Sequence, residues 1–221
     1  MYKVVEDLEA KGHKYYHLET DASEYITSII SRYPITKTRC PYIFKTQIYP
    51  TIEIHLIPIH LSDIPFTFYT IRGIEYPDTP RHIDNPKDVS KLSYSTKSKY
   101  IEPILKYISR YPDKKYIIAG DFNEPSHLDD LKYEWIISKK FEKAGIIDTY
   151  RHVKNKKKVK QVLDTYEYNI EGATCCDNKE PFNRVDYIYT KNLDIKDSAV
   201  LDKYRKLSDH LPVLTTVIAN D

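Results

Sequence analysis

The chain has 221 residues, 41% of them apolar and 30% charged, with a formal net charge of +2. That length and balance fit one globular domain with a true core, and the small charge excess neither demands nor excludes a polyanionic partner. No run approaches a membrane-spanning helix, the charged N-terminus lacks the apolar core of a signal peptide, and three cysteines (Cys40, Cys175, Cys176) are too few for a disulfide framework.

The two adjacent cysteines cannot bond to each other without strain. A reducing, cytoplasmic location is therefore the natural reading.

Val4, Val5 and Leu8 recur at helical spacing, with Gly12 as a C-cap, so the chain begins in or near a helix. Tyr25–Ser31 reads as a strand closed by Pro34. Ile52, Ile54 and Leu56 alternate at period two, with Pro58 disturbing the strand end. Phe66–Ile71 reads as a short aromatic strand. Residues 75–98 are polar, hold three prolines and read as a surface loop. Ile101, Ile104, Leu105 and Ile108 mark one helix face, and Pro103 must lie in its first turn or kink it. Tyr116–Ala119 is an apolar strand ending at Gly120. A helix over Ile136–Ala144 stops at Gly145, residues 151–161 form a basic loop, and Val185–Tyr189 and Leu211–Ile218 are the last two strands. Strands with helices between them predict a layered α/β domain.

Four segments carry chemistry. In GDFN (120–123) a strand delivers Asp121 and Asn123 to its C-terminal end. A carboxylate there activates water, and a neutral amide donates to a phosphoryl oxygen; the alternative is an Asx-turn. In SDHLPV (208–213), Asp209 suits a hard cation and His210 suits proton exchange; the alternative is a polar loop before an edge strand. In RVDYIYT (184–190), Asp186 lies on the face opposite Val185, Tyr187 and Tyr189. A buried carboxylate there needs a partner, and His210 is the candidate; the alternative is an exposed edge aspartate. His60 (in IHL, 59–61) is alone in its segment, where a structural role competes with a chemical one.

Taken together, with SRYPI (31–35) in support, these segments resemble the endonuclease/exonuclease/phosphatase (DNase I-like) superfamily. Its motifs follow the same order: an SRxPI strand, an HL histidine, GDFN, an R-x-D-Y-I strand and SDHxPV. The resemblance runs over residues 1–218. HLSDIPF, GDFNEPSHLD and GIIDTY (145–150) point to one subgroup of it.

The resemblance implies a four-layered sandwich of two mixed β-sheets with helices on the outer faces. It implies a single domain over 1–221 whose active site lies where strand ends converge. Asp121 would activate water, Asn123 would contact the scissile phosphate, and Asp209 would bind Mg2+ or Mn2+. His210, held by Asp186, and His60 would contact the phosphate or exchange protons. The activity implied is metal-dependent hydrolysis of a phosphodiester, in nucleic acid or in a small molecule, by a monomer that does not span a membrane.

The superfamily pattern also opens with an Asn-bearing strand and a Gln-Glu pair that supplies a metal ligand. Neither is found here, and Glu6, Glu9, Glu19 and Glu24 do not match them. The expectation is therefore a chain without its first strands and metal-ligand segment. That segment would lie upstream or on a separate polypeptide. The alternatives are an inactive remnant serving as a binding or scaffold domain, and nucleic-acid binding without hydrolysis. Lys154–Lys160 could touch phosphates, and Asp63, His127 and Asp129 could line the pocket, although Asp129 and Asp130 also fit helix N-caps.

Overall fold

The computed structural model describes residues 2–21, 23–65, 67–73, 75–76, 78–79, 83, 85–129, 133–154, 174–175, 184–204 and 207–220. In chain order its elements begin with helix α1 (Tyr2–Ala10) and strands β1 (Tyr16–Thr20), β2 (Thr27–Ser31), β3 (Ile35–Lys37), β4 (Phe44–Tyr49) and β5 (Ile52–His60). Helices α2 (Thr67–Arg72) and α3 (Pro86–Arg110) lead to β6 (Lys115–Asp121), α4 (Ile136–Lys143), β7 (Ile147–Asp148) and α5 (Thr149–Lys154). Strands β8 (Asp186–Lys191), β9 (Asp194–Val200) and β10 (Val213–Ile218) follow.

Six strands form one mixed sheet in the order β3-β4-β5-β6-β8-β7. Only β5 and β6 run parallel; the other neighbours are antiparallel. A parallel pair needs a long crossover, and α2 and α3 supply it. The period-two pattern of β5 sorts its side chains. Ile57 and Ile59 face a core shared with Ile101, Ile104 and Ile108 of α3, Ile118 and Tyr116 of β6, and Ile137 and Phe141 of α4. Each fully buried isoleucine there stabilises the fold by roughly 1.5–3 kcal/mol. Ile52 and Ile54 face the other way and meet Leu193, Val217 and Ala219. Two antiparallel ribbons, β1–β2 and β9–β10, make the remaining sheet structure among the described residues. The first touches β3 and β5, the second touches β8, and α1 lies on β1. The mixed α/β architecture expected from the sequence is present, as one six-stranded mixed sheet with helices and two separate two-stranded ribbons among the described residues.

Several local expectations change. Of the stretch read as a strand over Phe66–Ile71, Phe66 lies outside the described residues and the rest is in helix α2, with Thr67 and Thr70 buried; tertiary context overrides the β-propensity of its aromatic and branched residues. Much of the loop read over 75–98 is helix. The α3 helix starts at Pro86, capped by the Asn85 side chain, which accepts from the Lys87 amide at 3.1 Å. Its buried face runs Val89, Ser90, Ser93, Lys97, then Ile101, Ile104 and Ile108. The polar first half hides the helical period from a hydrophobicity reading. Pro103 consequently sits inside the helix and not in its first turn. Pro58 does not end β5, because pairing with β4 stops at Leu56 and the strand continues against β6.

Gly12, at φ +80°, follows the end of α1, where its N–H donates to Glu9 O at 2.8 Å, as expected for a C-terminal glycine. Cys40 is a free thiol, but Cys175 is disulfide-bonded, against the expectation from the sequence. Among the described residues no helix is long and apolar enough to cross a membrane. The basic run beyond Lys154 lies outside the described residues.

Candidate active site

Register alone brings three of the four members of the site together. The β5–β6 pairing sets His60 beside Asp121, and the β6–β8 pairing sets Asp121 opposite Asp186. Three strands therefore present three polar side chains in one row, on the sheet face away from α3. His60 Nε2 lies 3.8 Å from Asp121 Oδ2. Gly120 makes the row possible: at φ +137°, a Cβ there would lie 1.8 Å from Ile59 O, so no other residue fits.

The fourth member comes from the far end of the chain. Cys175 bridges to His210, and the Leu211 amide donates to Thr174 O at 2.6 Å. Thr174 Oγ1 in turn accepts from the amides of Val185, at 3.2 Å, and Asp186, at 3.0 Å. The pair Thr174–Cys175 thus stitches the segment around His210 to the start of β8. His210 Nδ1 lies 2.8 Å from Asp186 Oδ2. One ligand atom each from Asp121, Asp186 and His210 falls within 4.8 Å of the others.

The electrostatics divide the roles. The hydrogen bond to Asp186 raises His210 to about 9, against the opposing effect of burial, so the ring is an imidazolium at neutral pH. Asp121 is raised to about 7, first by burial and then by the charge of Asp186. Burial holds His60 below its usual imidazole value, and the attraction of Asp186 does not overcome it. One cavity wall therefore carries a cationic donor, a carboxyl that titrates near neutrality and a neutral imidazole.

Asn123 adopts φ +44° and closes the turn after β6. Its backbone N–H donates to Asp121 Oδ1 at 2.7 Å, and its Nδ2 donates to Leu61 O at 2.9 Å. Behind it lies a polar cluster that sequence reasoning missed. Lys97, fully buried on α3, donates to Asn123 O at 2.7 Å and to Ser93 Oγ at 2.9 Å. Ser93 donates to Glu124 Oε2 at 2.5 Å, and Glu124 Oε1 accepts from the Ile137 amide at 3.3 Å. Burial lowers Lys97 and raises Glu124 from their ordinary values, while each charge favours the other. The signal was present as Lys and Ser at the buried positions of a helix that itself went unread.

A cavity of about 370 Å³ opens over the row, lined by His60, Asp121, Asn123 and His210, with Tyr25, Asp63 and Tyr76 along one side. Asp209 lines it too, but it is exposed and lies outside the cluster of close ligand atoms. Asp63 is a wall residue, as the sequence suggested.

His127 and Asp129 are not wall residues. His127 sits between Ser138, 2.9 Å from Nδ1, and Glu142, 3.0 Å from Nε2, in a separate cavity. Asp129 is buried and caps no helix among those described. It accepts from Arg151 Nε at 2.5 Å and Arg184 Nε at 2.9 Å. Arg184 also forms a two-pronged pair with Asp148, at 3.1 and 2.5 Å. Asp129 of EPSHLD, Asp148 of GIIDTY, Arg151 and Arg184 thereby form one buried ion network.

Comparison with known proteins agrees with this fold. The profile of the endonuclease/exonuclease/phosphatase family matches residues 7–210. No curated protein matches the sequence. Among solved structures, an endonuclease/exonuclease/phosphatase family protein from Leptotrichia buccalis is 16% identical, with a TM-score of 0.58 over 98% of this chain and 77% of its own. The 3′ phosphatase NExo from Neisseria, bound to product DNA hairpin, is 15% identical, with a TM-score of 0.57 over 97% of this chain and 82% of its own. An AP endonuclease from Archaeoglobus fulgidus is 16% identical, with a TM-score of 0.55 over 96% of this chain and 82% of its own. With the profile spanning most of the sequence and the site residues meeting in one row, the chain belongs to the endonuclease/exonuclease/phosphatase family.

Proposed function

We propose that this chain, as a single domain over residues 1–221, hydrolyses a phosphodiester by in-line attack of water on phosphorus. The observation that carries the reading is the convergence of Asp121, Asp186 and His210 within 4.8 Å, beside His60 and under one cavity. A solved relative bound to a DNA hairpin supports nucleic acid as the substrate class.

Asp121 accepts the proton of the attacking water, and its value of about 7 suits that task near neutral pH. Asn123 holds Asp121 through its backbone N–H and offers its amide to a phosphoryl oxygen. His210, kept cationic and oriented by Asp186, donates to a non-bridging oxygen as charge builds there. His60 faces the phosphate or leaving group from the β5 side.

A divalent cation, Mg2+ or Mn2+, fits the donor set. Asp121 and Asp186 are carboxylates in mutual repulsion, and hard oxygen donors suit such ions. The rim carboxylate Asp209 would hold it on the cavity wall, which leaves Asp121 as the base and Asp186 committed to His210. When bound, the ion supplies positive charge to the phosphoryl oxygens.

The test is turnover of bis(4-nitrophenyl) phosphate and of a DNA hairpin with Mg2+, Mn2+ or chelator. Metal-dependent release is expected, falling by about 10²–10⁴ in His210→Ala and Asp121→Asn with the fold intact by circular dichroism. Absence of turnover by the wild-type chain with either metal would refute the reading.

A further inference from the structure

His60 ends β5 beyond the reach of β4, whose pairing stops at Leu56. Its 3.8 Å approach to Asp121 is too long for a hydrogen bond. Something else must fix the ring. The segment before β2 grips the His60 backbone and packs on its ring. The His60 N–H donates to Ser23 Oγ at 3.2 Å, the Tyr25 N–H donates to His60 O at 3.3 Å, and Ser23 Oγ donates to Tyr25 O at 2.8 Å. The Tyr25 ring then packs on the imidazole, centroids 4.5 Å apart and planes at 52°. Its phenol donates to Asp63 Oδ1 at 2.5 Å, and Tyr76 donates to Asp63 Oδ2 at 2.8 Å.

We propose that Tyr25, anchored by Asp63, is the positioning residue for His60. The reading rests on the role given to His60 above. It identifies why three distant stretches meet at Asp63: a carboxylate with two acceptor oxygens takes one phenol from each side and locks the first against the histidine. Burial would push Asp63 up, but the two phenols hold it below its ordinary value, so the acceptor stays ionised. Tyr25 is raised to about 12, chiefly by that same hydrogen bond, so it remains the donor. An aromatic face against an imidazole also keeps water off one side of the ring, which the half-exposed end of β5 would otherwise admit. Small misplacements of a reacting group cost rate far more than they cost stability.

The experiment compares Tyr25→Ala, Tyr25→Phe, Asp63→Asn, His60→Ala and the double variant Tyr25→Ala/His60→Ala on bis(4-nitrophenyl) phosphate. Tyr25→Ala is expected to lower kcat by about tenfold or more, with KM little changed. Tyr25→Phe, which keeps the ring but loses the Asp63 anchor, and Asp63→Asn, which keeps the phenol but loses the charged acceptor, should both fall between wild type and Tyr25→Ala. In the His60→Ala background, Tyr25→Ala should cost nothing further. A Tyr25→Ala penalty of the same size in that background, or one confined to KM, would mean direct contact with substrate and would overturn the proposal. Full activity in His60→Ala, with Asp121→Asn inactive, would overturn it while sparing the proposed hydrolysis. If the wild-type chain turns over no ester, the hydrolysis reading fails and the proposal is judged by NMR. The His60 Hε1 resonance, assigned from His60→Ala, should lose its ring-current shift in Tyr25→Ala and keep it in Tyr25→Phe. An unmoved resonance would sink the proposal.

Discussion

Asp186 stands directly opposite Asp121 across the β6–β8 pair, and the two carboxylates meet different fates. Asp186 is compensated by His210 at 2.8 Å. Asp121 is partly buried beside that pair with a backbone amide as its close donor, and it is pushed up to about 7. The asymmetry leaves one carboxylate paired and the other titrating near neutrality.

Asp121 gives a pH-dependent metal effect. Its folded value lies above the ordinary 3.8, so its protonated form favours the folded state. Its contribution is complete below 3.8 and is lost as pH rises through about 7. On the proposed function, Mg2+ held on the same cavity wall would favour the ionised form of Asp121. The thermal midpoint should therefore rise more on adding Mg2+ at about pH 8 than at about pH 5.5. Asp121→Asn should raise the metal-free midpoint at the higher pH and flatten the pH dependence of the Mg2+ response. Calorimetry with and without chelator decides it.

His210 titrates in a second window. Its folded value of about 9 exceeds the ordinary 6.5, so its pairing with Asp186 stabilises fully below 6.5 and is lost as pH rises through about 9. In Asp186→Asn the ring should titrate near its ordinary value, as read by NMR of the metal-free protein. The extra stability below that window should disappear, and activity should fall with it.

Lys97 tests the cluster behind Asn123. Lys97→Met leaves the buried Glu124 without its counter-charge and should cost about 3–5 kcal/mol in urea unfolding. Adding Glu124→Gln should recover much of that stability, because the uncompensated charge is gone. Turnover should stay low even then, because Asn123 O has still lost its 2.7 Å anchor.

Arg184 tests the buried network. It is 1% exposed and compensates both Asp129 and Asp148. Arg184→Met strands Asp148 in the core, leaves Asp129 with Arg151 alone, and should destabilise the domain by about 3–5 kcal/mol. A loss under about 1 kcal/mol would show that the network is not compensating those charges.

How much of this was legible beforehand follows from what each signal depends on. The strands at Ile52–His60 and Tyr116–Ala119 declared themselves because their apolar side chains alternate or run together. The helix over Ile101–Ile108 did so at period 3.6. The first half of α3 escaped because it buries Ser93 and Lys97, whose chemistry is satisfied only by Glu124 and Asn123, residues far away in sequence.

By itself the sequence marked the candidate residues: His60, Asp121, Asn123, Asp186 and His210 stand in short motifs whose order needs no coordinates to read. Only the tertiary structure decided how they are shared out. Register put His60, Asp121 and Asp186 in one row, and it left Asp209 at the exposed rim. It diverted Asp129 and Asp148 into an ion network, and it brought Tyr25 and Asp63 to the cavity wall. The reason is physical. A motif fixes the donors and acceptors a residue offers, but burial and neighbours from other strands fix its charge and its partner, and those are set only when the chain has folded.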